Sequence, residues 1–383
     1  MSHLVESLVK FYRHKQPEGL VALHEPSISE FDKKLVLDCL DSGWVSSVGA
    51  YVSMAEDKIA SYVGASGAIA TVNGTSALHL ALLSVGVVEG DEVVTPSLTF
   101  IATTNAIRYC NADPHFVDVE TESLGVCPQK LREHLSNVLV RKNQCWVNKF
   151  TGKRVKAIVY VHIFGLQGYI QEVAQIAKEF DLPLIEDCAE SLGTKLQGTH
   201  TGLFGDVAAF SFNGNKIITS GGGGMVIAKD PNKMHLIKHL STTAKTSGDG
   251  FFYHDQVGFN YRMPNLNAAL LVGQLSSLDD KIRKKRALFN DLVQLLHRFS
   301  DVTPMVPRYE HECNHWLLSV KVSPERKDSF IQELNDNGLM VRPLWNLNHT
   351  LPMYETCFKG DLSNSQSAVQ QVISLPSSPS LIV

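Results

Sequence analysis

VAAFSFNGNKIITSGGGGM, residues 207–225, is the stretch on which the fold of this chain turns. Val207 to Ser211 form an apolar run of strand length, and a turn rich in Gly and Asn follows at once. Lys216 stands in that turn with Ile217 and Ile218 behind it. A lysine among Asn and Gly is ordinarily a solvated cation. Its apolar neighbours favour a second reading, because an amine in apolar surroundings is readily deprotonated and forms Schiff bases with carbonyl compounds.

Outward from this stretch, short β-branched runs alternate with longer amphipathic ones. The strand-like runs are Ala68–Val72, Glu92–Thr95, His115–Val117, Ala157–His162, Pro183–Asp187, Val207–Ser211 and Met225–Ala228. Helix-length patterns such as Thr75–Val85, Phe100–Tyr109 and Ile170–Phe180 lie between them. This alternation predicts an α/β fold with a mostly parallel sheet covered on both faces. Ser27, with Glu30 three residues later, reads as a capping box that opens a helix ended by Gly43. Residues 140–155, charged and carrying a Thr-Gly turn, read as a surface hairpin inserted before the next strand. Beyond about residue 250 the pattern changes to a long helix over 265–299, a strand over 316–322, a helix over 328–337 and a loop over 342–352. The expected division is a large unit, 1–250, and a smaller α+β unit, 251–383.

Composition excludes several classes. A net charge of -4 over 383 residues leaves no basic field for a nucleic-acid backbone. No run approaches the roughly 18 apolar residues of a membrane span, and the amino end MSHLVESLVKFYRHKQPEG lacks the apolar core of a signal peptide. A cytoplasmic protein without membrane or nucleic-acid partners is expected. The seven cysteines are scattered singly, with no CxxC pair and no metal-ligand spacing, so reduced thiols and no metal are expected.

In open α/β sheets ligands bind beyond the carboxyl ends of the strands, and four such places carry suggestive residues. Asn73-Gly74-Thr75-Ser76 feeds a helix start, an arrangement that presents free amides and a hydroxyl to a phosphate and equally serves as a plain N-cap. Asp187, with Glu186 before it and Cys188, Ala189 and Glu190 after it, ends an apolar strand. Its carboxylate suits a protonated ring nitrogen, and it also suits an N-cap or a salt bridge. Ser211 stands five residues before Lys216 at its own strand end, within reach of the same phosphate. Gly258-Phe259-Asn260-Tyr261-Arg262-Met263-Pro264 offers an amide and a guanidinium for phosphate recognition, or simply starts the long helix.

In this order GTSAL, PSLTFIATTNAI, VHIFG, IEDCAES, SFNGNK, GGGGM and GFNYRMPNLNAAL resemble the DegT/StrS family of nucleotide-sugar aminotransferases, from about Leu23 to the carboxyl end. The branch most resembled acts on UDP-4-keto-6-deoxy-N-acetylhexosamines, on the way to bacillosamine- or legionaminic-acid-type sugars. The resemblance implies the fold-type I architecture and pyridoxal 5′-phosphate (PLP), with pyridoxamine phosphate as intermediate. It implies transfer of the amino group of L-glutamate to the 4-keto group of a UDP-linked sugar for cell-surface glycans, in a homodimer with shared active sites. A 3-keto substrate and a non-catalytic regulatory protein are the alternatives.

By the same resemblance Lys216 forms the Schiff base and Asp187 pairs with the pyridinium nitrogen. Gly74, Thr75, Ser76 and Ser211 contact the phosphate, joined by Asn260 from the second subunit. Phe100 and Glu190 flank the ring, and His162 lies near it. Tyr261 and Arg262 are placed at the nucleotide, and Trp44, His315, Trp345 and His349 are candidate sugar contacts. Some relatives carry His in place of the lysine and act as dehydratases, so Lys216 points to amination. The all-glycine run Gly221–Gly224 departs from relatives with Glu at its second place, and only close backbone approach is assigned to it.

Overall fold

The computed structural model describes residues 2–246 and 252–382. Three helices, α1 (Ser2–Lys15), α2 (Glu30–Asp41) and α3 (Ala50–Val63), precede β1 (Ile69–Thr71). Then come α4 (Gly74–Ser84), β2 (Glu92–Pro96), α5 (Ile101–Tyr109), β3 (Asp113–Val117) and α6 (Pro128–Val138). A hairpin of β4 (Leu139–Lys142) and β5 (Cys145–Asn148) leads to β6 (Val155–Val161), α7 (Ile170–Glu179) and β7 (Leu184–Asp187). The ribbon β8 (Lys195–Leu196) and β9 (Thr199–His200) is followed by β10 (Val207–Ser211), β11 (Gly224–Ala228) and α8 (Pro231–Ser241).

Seven strands form one sheet in the order β1-β11-β10-β7-β6-β2-β3. β3, β2, β6, β7 and β10 are mutually parallel, while β11 runs antiparallel to both of its neighbours. Val207, Ala208, Ala209 and Phe210 are all buried, so this strand shows no alternation. That is the signature of a strand covered on both faces, and the helices on either side are what cover it.

Two local expectations are corrected. The capping box sits two residues later than Ser27 and Glu30: Ser29 Oγ accepts the Asp32 amide at 3.1 Å and Asp32 Oδ2 accepts the Ser29 amide at 2.7 Å. Any of these side chains can cap, and burial of Asp32 against Gln274 chose the register. The single long helix is two, α9 (Asn265–Ser276) and α10 (Leu278–Leu296). Ser276 and Ser277 donate their hydroxyls back to the carbonyls of Gly273 and Gln274, which competes with helical continuation.

The inserted hairpin is tied down from within. Behind its tip Asn148 Nδ2 donates to Glu92 Oε2 at 2.9 Å and Thr151 Oγ1 donates to Glu92 Oε1. His115 shares that carboxylate at 2.8 Å.

After α10 the chain builds an antiparallel sheet of β12 (Val302–Pro304), β13 (Leu318–Val322), β14 (Arg342–Pro343) and β15 (Val372–Leu375), in the order β12-β13-β15-β14. Helices α11 (Pro324–Asp336) and α12 (Ser363–Gln371) accompany it. The apolar stripe Leu4, Leu8 and Tyr12 of α1 packs in one cluster with Leu292, Val320 and Phe330 of this carboxyl-terminal unit. The expected boundary at 250 and 251 lies outside the described residues. No described helix is long and apolar enough to cross a membrane.

Candidate active site

The carboxyl ends of the central strands and the start of α4 meet around a cleft of about 300 Å³. Asn73 caps α4, its Oδ1 accepting the Ser76 amide at 2.8 Å. Gly74 and Thr75, next along, border the cleft with the unpaired amides of a first helical turn. A β-carbon at 74 would stand 2.8 Å from Ser211 Cβ and 3.1 Å from its Oγ. Glycine therefore lets the end of β10 bring a hydroxyl beside the helix start, which concentrates anion-binding donors in one spot.

Asp187 closes β7 at the floor of the cleft. Thr103 Oγ1 donates to its Oδ2 at 2.8 Å and the Ala189 amide to its Oδ1 at 3.1 Å. Burial nevertheless raises its pKa, so the carboxylate gains from a cationic partner. Burial also raises the pKa of Glu190, whose Oε2 accepts the Phe164 amide at 2.8 Å. Lys216 follows on the turn after β10. Its Nζ lies 3.4 Å from Glu190 Oε1 and 4.1 Å from the centre of the Trp316 ring.

The structure brings together Gly74, Thr75, Phe100, Asp187, Glu190, Ser211, Lys216 and Trp345 along one cleft. Phe100 meets Trp345 edge to face at 6.0 Å. Other expected residues lie elsewhere. Ser76 is buried within α4. His162 is not among the residues lining the cleft and meets Glu186 at 2.8 Å. Burial opposes ionisation of Glu186, yet His162 and the amides of Gly205 and Gly202 keep its pKa below the usual value. Cys188 lies within 4.8 Å of that pair, but both Glu186 oxygens already accept backbone amides.

His315 is not a cleft residue. It stacks on Phe289 at 4.3 Å with its Nε2 3.2 Å from the Glu310 carbonyl oxygen, and burial lowers its pKa to about 3. Trp44 is 62% exposed on the segment between α2 and α3. His349 meets Ser97 Oγ at 2.7 Å. Tyr261 stacks on Phe259 at 4.9 Å and against His79, while Arg262 runs beside Thr71 at the β1 edge of the sheet. Asn260 is exposed on the same segment. Conversely, Thr103, Asn213, Asn215 and Trp316 line the cleft without having stood out in the sequence. Thr103 lies in the quoted PSLTFIATTNAI motif, but nothing local marks it as the partner of a carboxylate 84 positions away.

This donor set fits the cofactor that the motifs imply. An anion seat at α4 and Ser211, a buried carboxylate in need of a cation, and an amine line the same cleft.

Comparison with known proteins agrees. The model of the DegT/DnrJ/EryC1/StrS aminotransferase family matches residues 26–382. GDP-perosamine synthase of Vibrio cholerae is 37% identical over 375 residues, covering 94% of this chain and 95% of its own. A putative pyridoxal phosphate-dependent aminotransferase of Bacillus subtilis, EpsN, is 32% identical over 88% of this chain and 84% of its own. Among solved structures, the aminotransferase TlmJ from Streptoalloteichus hindustanus superposes with a TM-score of 0.85 at 25% identity, covering 94% of both chains.

Proposed function

The chain belongs to the DegT/DnrJ/EryC1/StrS aminotransferase family, a PLP-dependent sugar aminotransferase of fold-type I, and on that premise we propose the following roles for its residues and the following substrate. The observation that carries the proposal is the convergence of Gly74, Thr75, Asp187, Glu190, Ser211 and Lys216 on one cleft.

Gly74, Thr75 and Ser211 hold the cofactor phosphate, and Asn260 of a second copy reaches the same phosphate in a homodimer. Asp187, fixed by Thr103, keeps the ring nitrogen protonated. Phe100 and Glu190 flank the ring. When bound, the cofactor supplies a carbonyl that condenses with Lys216 and a ring that withdraws electrons from the reacting carbon. Displaced by the amino donor, the Lys216 amine would take the proton from the donor's α-carbon and deliver it two atoms away, to the carbon on the far side of the transferred nitrogen. The same nitrogen performs the reverse transfer for the acceptor sugar.

The donor is glutamate and the acceptor a nucleotide-linked 4-keto-6-deoxy sugar. The likeness to a GDP-perosamine synthase favours a GDP-linked sugar over the UDP-linked one expected from the motifs. Trp345, in the cleft, is the sugar contact, and Arg262, beside Thr71 outside the cleft lining, serves the nucleotide phosphates as the motifs imply.

The test begins with colour. Purified protein is expected to be yellow, glutamate to bleach it, and Lys216→Ala to lack both the band and turnover. Mass spectrometry of products from GDP- and UDP-linked 4-keto and 3-keto sugars then identifies the acceptor. A colourless protein with PLP supplied, or turnover unchanged in Lys216→Ala, refutes the assignment.

A further inference from the structure

We propose that Trp316 is a positioning residue that, with Glu190, holds the Lys216 amine whenever that amine is not joined to the cofactor; this rests on the role of Lys216 given above. Between the two half-reactions the amine must leave the reacting carbon and later return to it. Lys216 extends from a turn on which Asn213 and Asn215 are exposed, and its long side chain has several rotatable bonds. A side chain with that freedom needs a fixed station if it is to return to one atom reproducibly.

The station is built from two sides. Lys216 Nζ lies over the Trp316 indole face, 4.1 Å from the ring centre, and 3.4 Å from Glu190 Oε1. The electron-rich face of an indole attracts a cation, more so away from water. The ring itself is 3% exposed, and its Nε1–H donates to the Asn215 carbonyl at 2.8 Å. One side chain thus grips both the backbone before Lys216 and the end of its amine.

The two holders are also tied to each other. Asn314, fully buried, accepts the Trp316 amide on Oδ1 at 2.9 Å and donates through Nδ2 to the Glu190 carbonyl at 2.9 Å. Its Nδ2 reaches the Leu192 carbonyl as well, at 3.0 Å. A closed circuit results: Glu190, Asn314, Trp316, Asn215, Lys216 and back to Glu190. Each link joins residues about a hundred positions apart or more, except Asn314 to Trp316, Asn215 to Lys216 and Lys216 to Glu190. A circuit of this kind fixes where the amine rests, which ordinary packing of a tryptophan would not require.

The experiment uses holoenzyme that glutamate has converted to the amine form of its cofactor, with loss of the yellow band confirming conversion. Brief treatment with limiting acetic anhydride follows, and peptide mass spectrometry reads acetylation of Lys216 against exposed Lys10. Trp316→Leu is expected to raise Lys216 labelling about threefold or more. Trp316→Phe keeps an aromatic face over the amine and loses the Nε1–H bond to Asn215, so its labelling is expected to rise less than that of Trp316→Leu. No rise in Trp316→Leu, or an equal rise in Trp316→Phe, overturns the proposal while leaving the role of Lys216 intact. Failure of glutamate to remove the band in the parent overturns that role, and this inference with it.

Discussion

Gly74 and Ser211 are in such close contact that a β-carbon on the first would stand 2.8 Å from the β-carbon of the second. The start of α4 and the end of β10 therefore touch, in what is proposed above as the phosphate seat, and this approach depends on one missing methyl group. Gly74→Ala is expected to force these segments apart at a cost of about 1–3 kcal/mol. Titration of the cofactor-free variant with PLP should show roughly tenfold weaker binding or worse, and unchanged affinity would contradict the shared seat.

Asp187 is buried at 5% exposure, and its carboxylate is the one proposed to pair with the cofactor ring. Asp187→Asn keeps the shape and removes the charge, so turnover is expected to fall by roughly 10²–10⁴ while the protein still takes up PLP. Thr103→Val removes a 2.8 Å hydrogen bond to the same carboxylate and should cost about 1–3 kcal/mol of transition-state stabilisation. Steady-state kinetics on both variants checks the order, and Thr103→Val being the more damaging would count against it.

Glu92 joins β2 to the inserted hairpin through Asn148 and Thr151 and to His115 on β3. Both Glu92 and His115 are essentially inaccessible to solvent. Glu92→Ala leaves those partners buried and unmatched, an effect of about 3–5 kcal/mol. Urea unfolding should register that loss while activity per folded molecule stays at the parent level.

Burial lowers the pKa of His200 to about 4 and that of His315 to about 3. A histidine depressed in the folded state takes up a proton on unfolding, so stability is intact above its ordinary value of about 6.5 and falls as pH drops toward the folded value. The urea midpoint is expected to fall between pH 7 and pH 5. In His315→Phe the dependence should weaken by about one proton, with the ring still packed on Phe289. A midpoint flat over that interval would rule out the buried neutral state.

Residues marked at strand ends come together where the information is local. An apolar run followed by Gly, Asn or Asp marks a strand and its turn, and in a parallel sheet those turns share one edge. Gly74, Asp187, Ser211 and Lys216 could therefore be found from the chain alone and do line one cleft. The parallel core was equally visible, because strands buried on both faces lose their alternation.

What tertiary structure decided is the choice of partner. His315 and Trp316 are neighbours in the chain, and the positive φ of 48° at His315 turns one toward Phe289 while the other meets Lys216. Capping at Ser29 instead of Ser27, the break at Ser277 and the Thr103–Asp187 bond likewise follow from contacts between distant segments. Spacing along a chain determines which side chains are available at a strand end. Which of them pair depends on burial and backbone direction, and those exist only once the segments have packed.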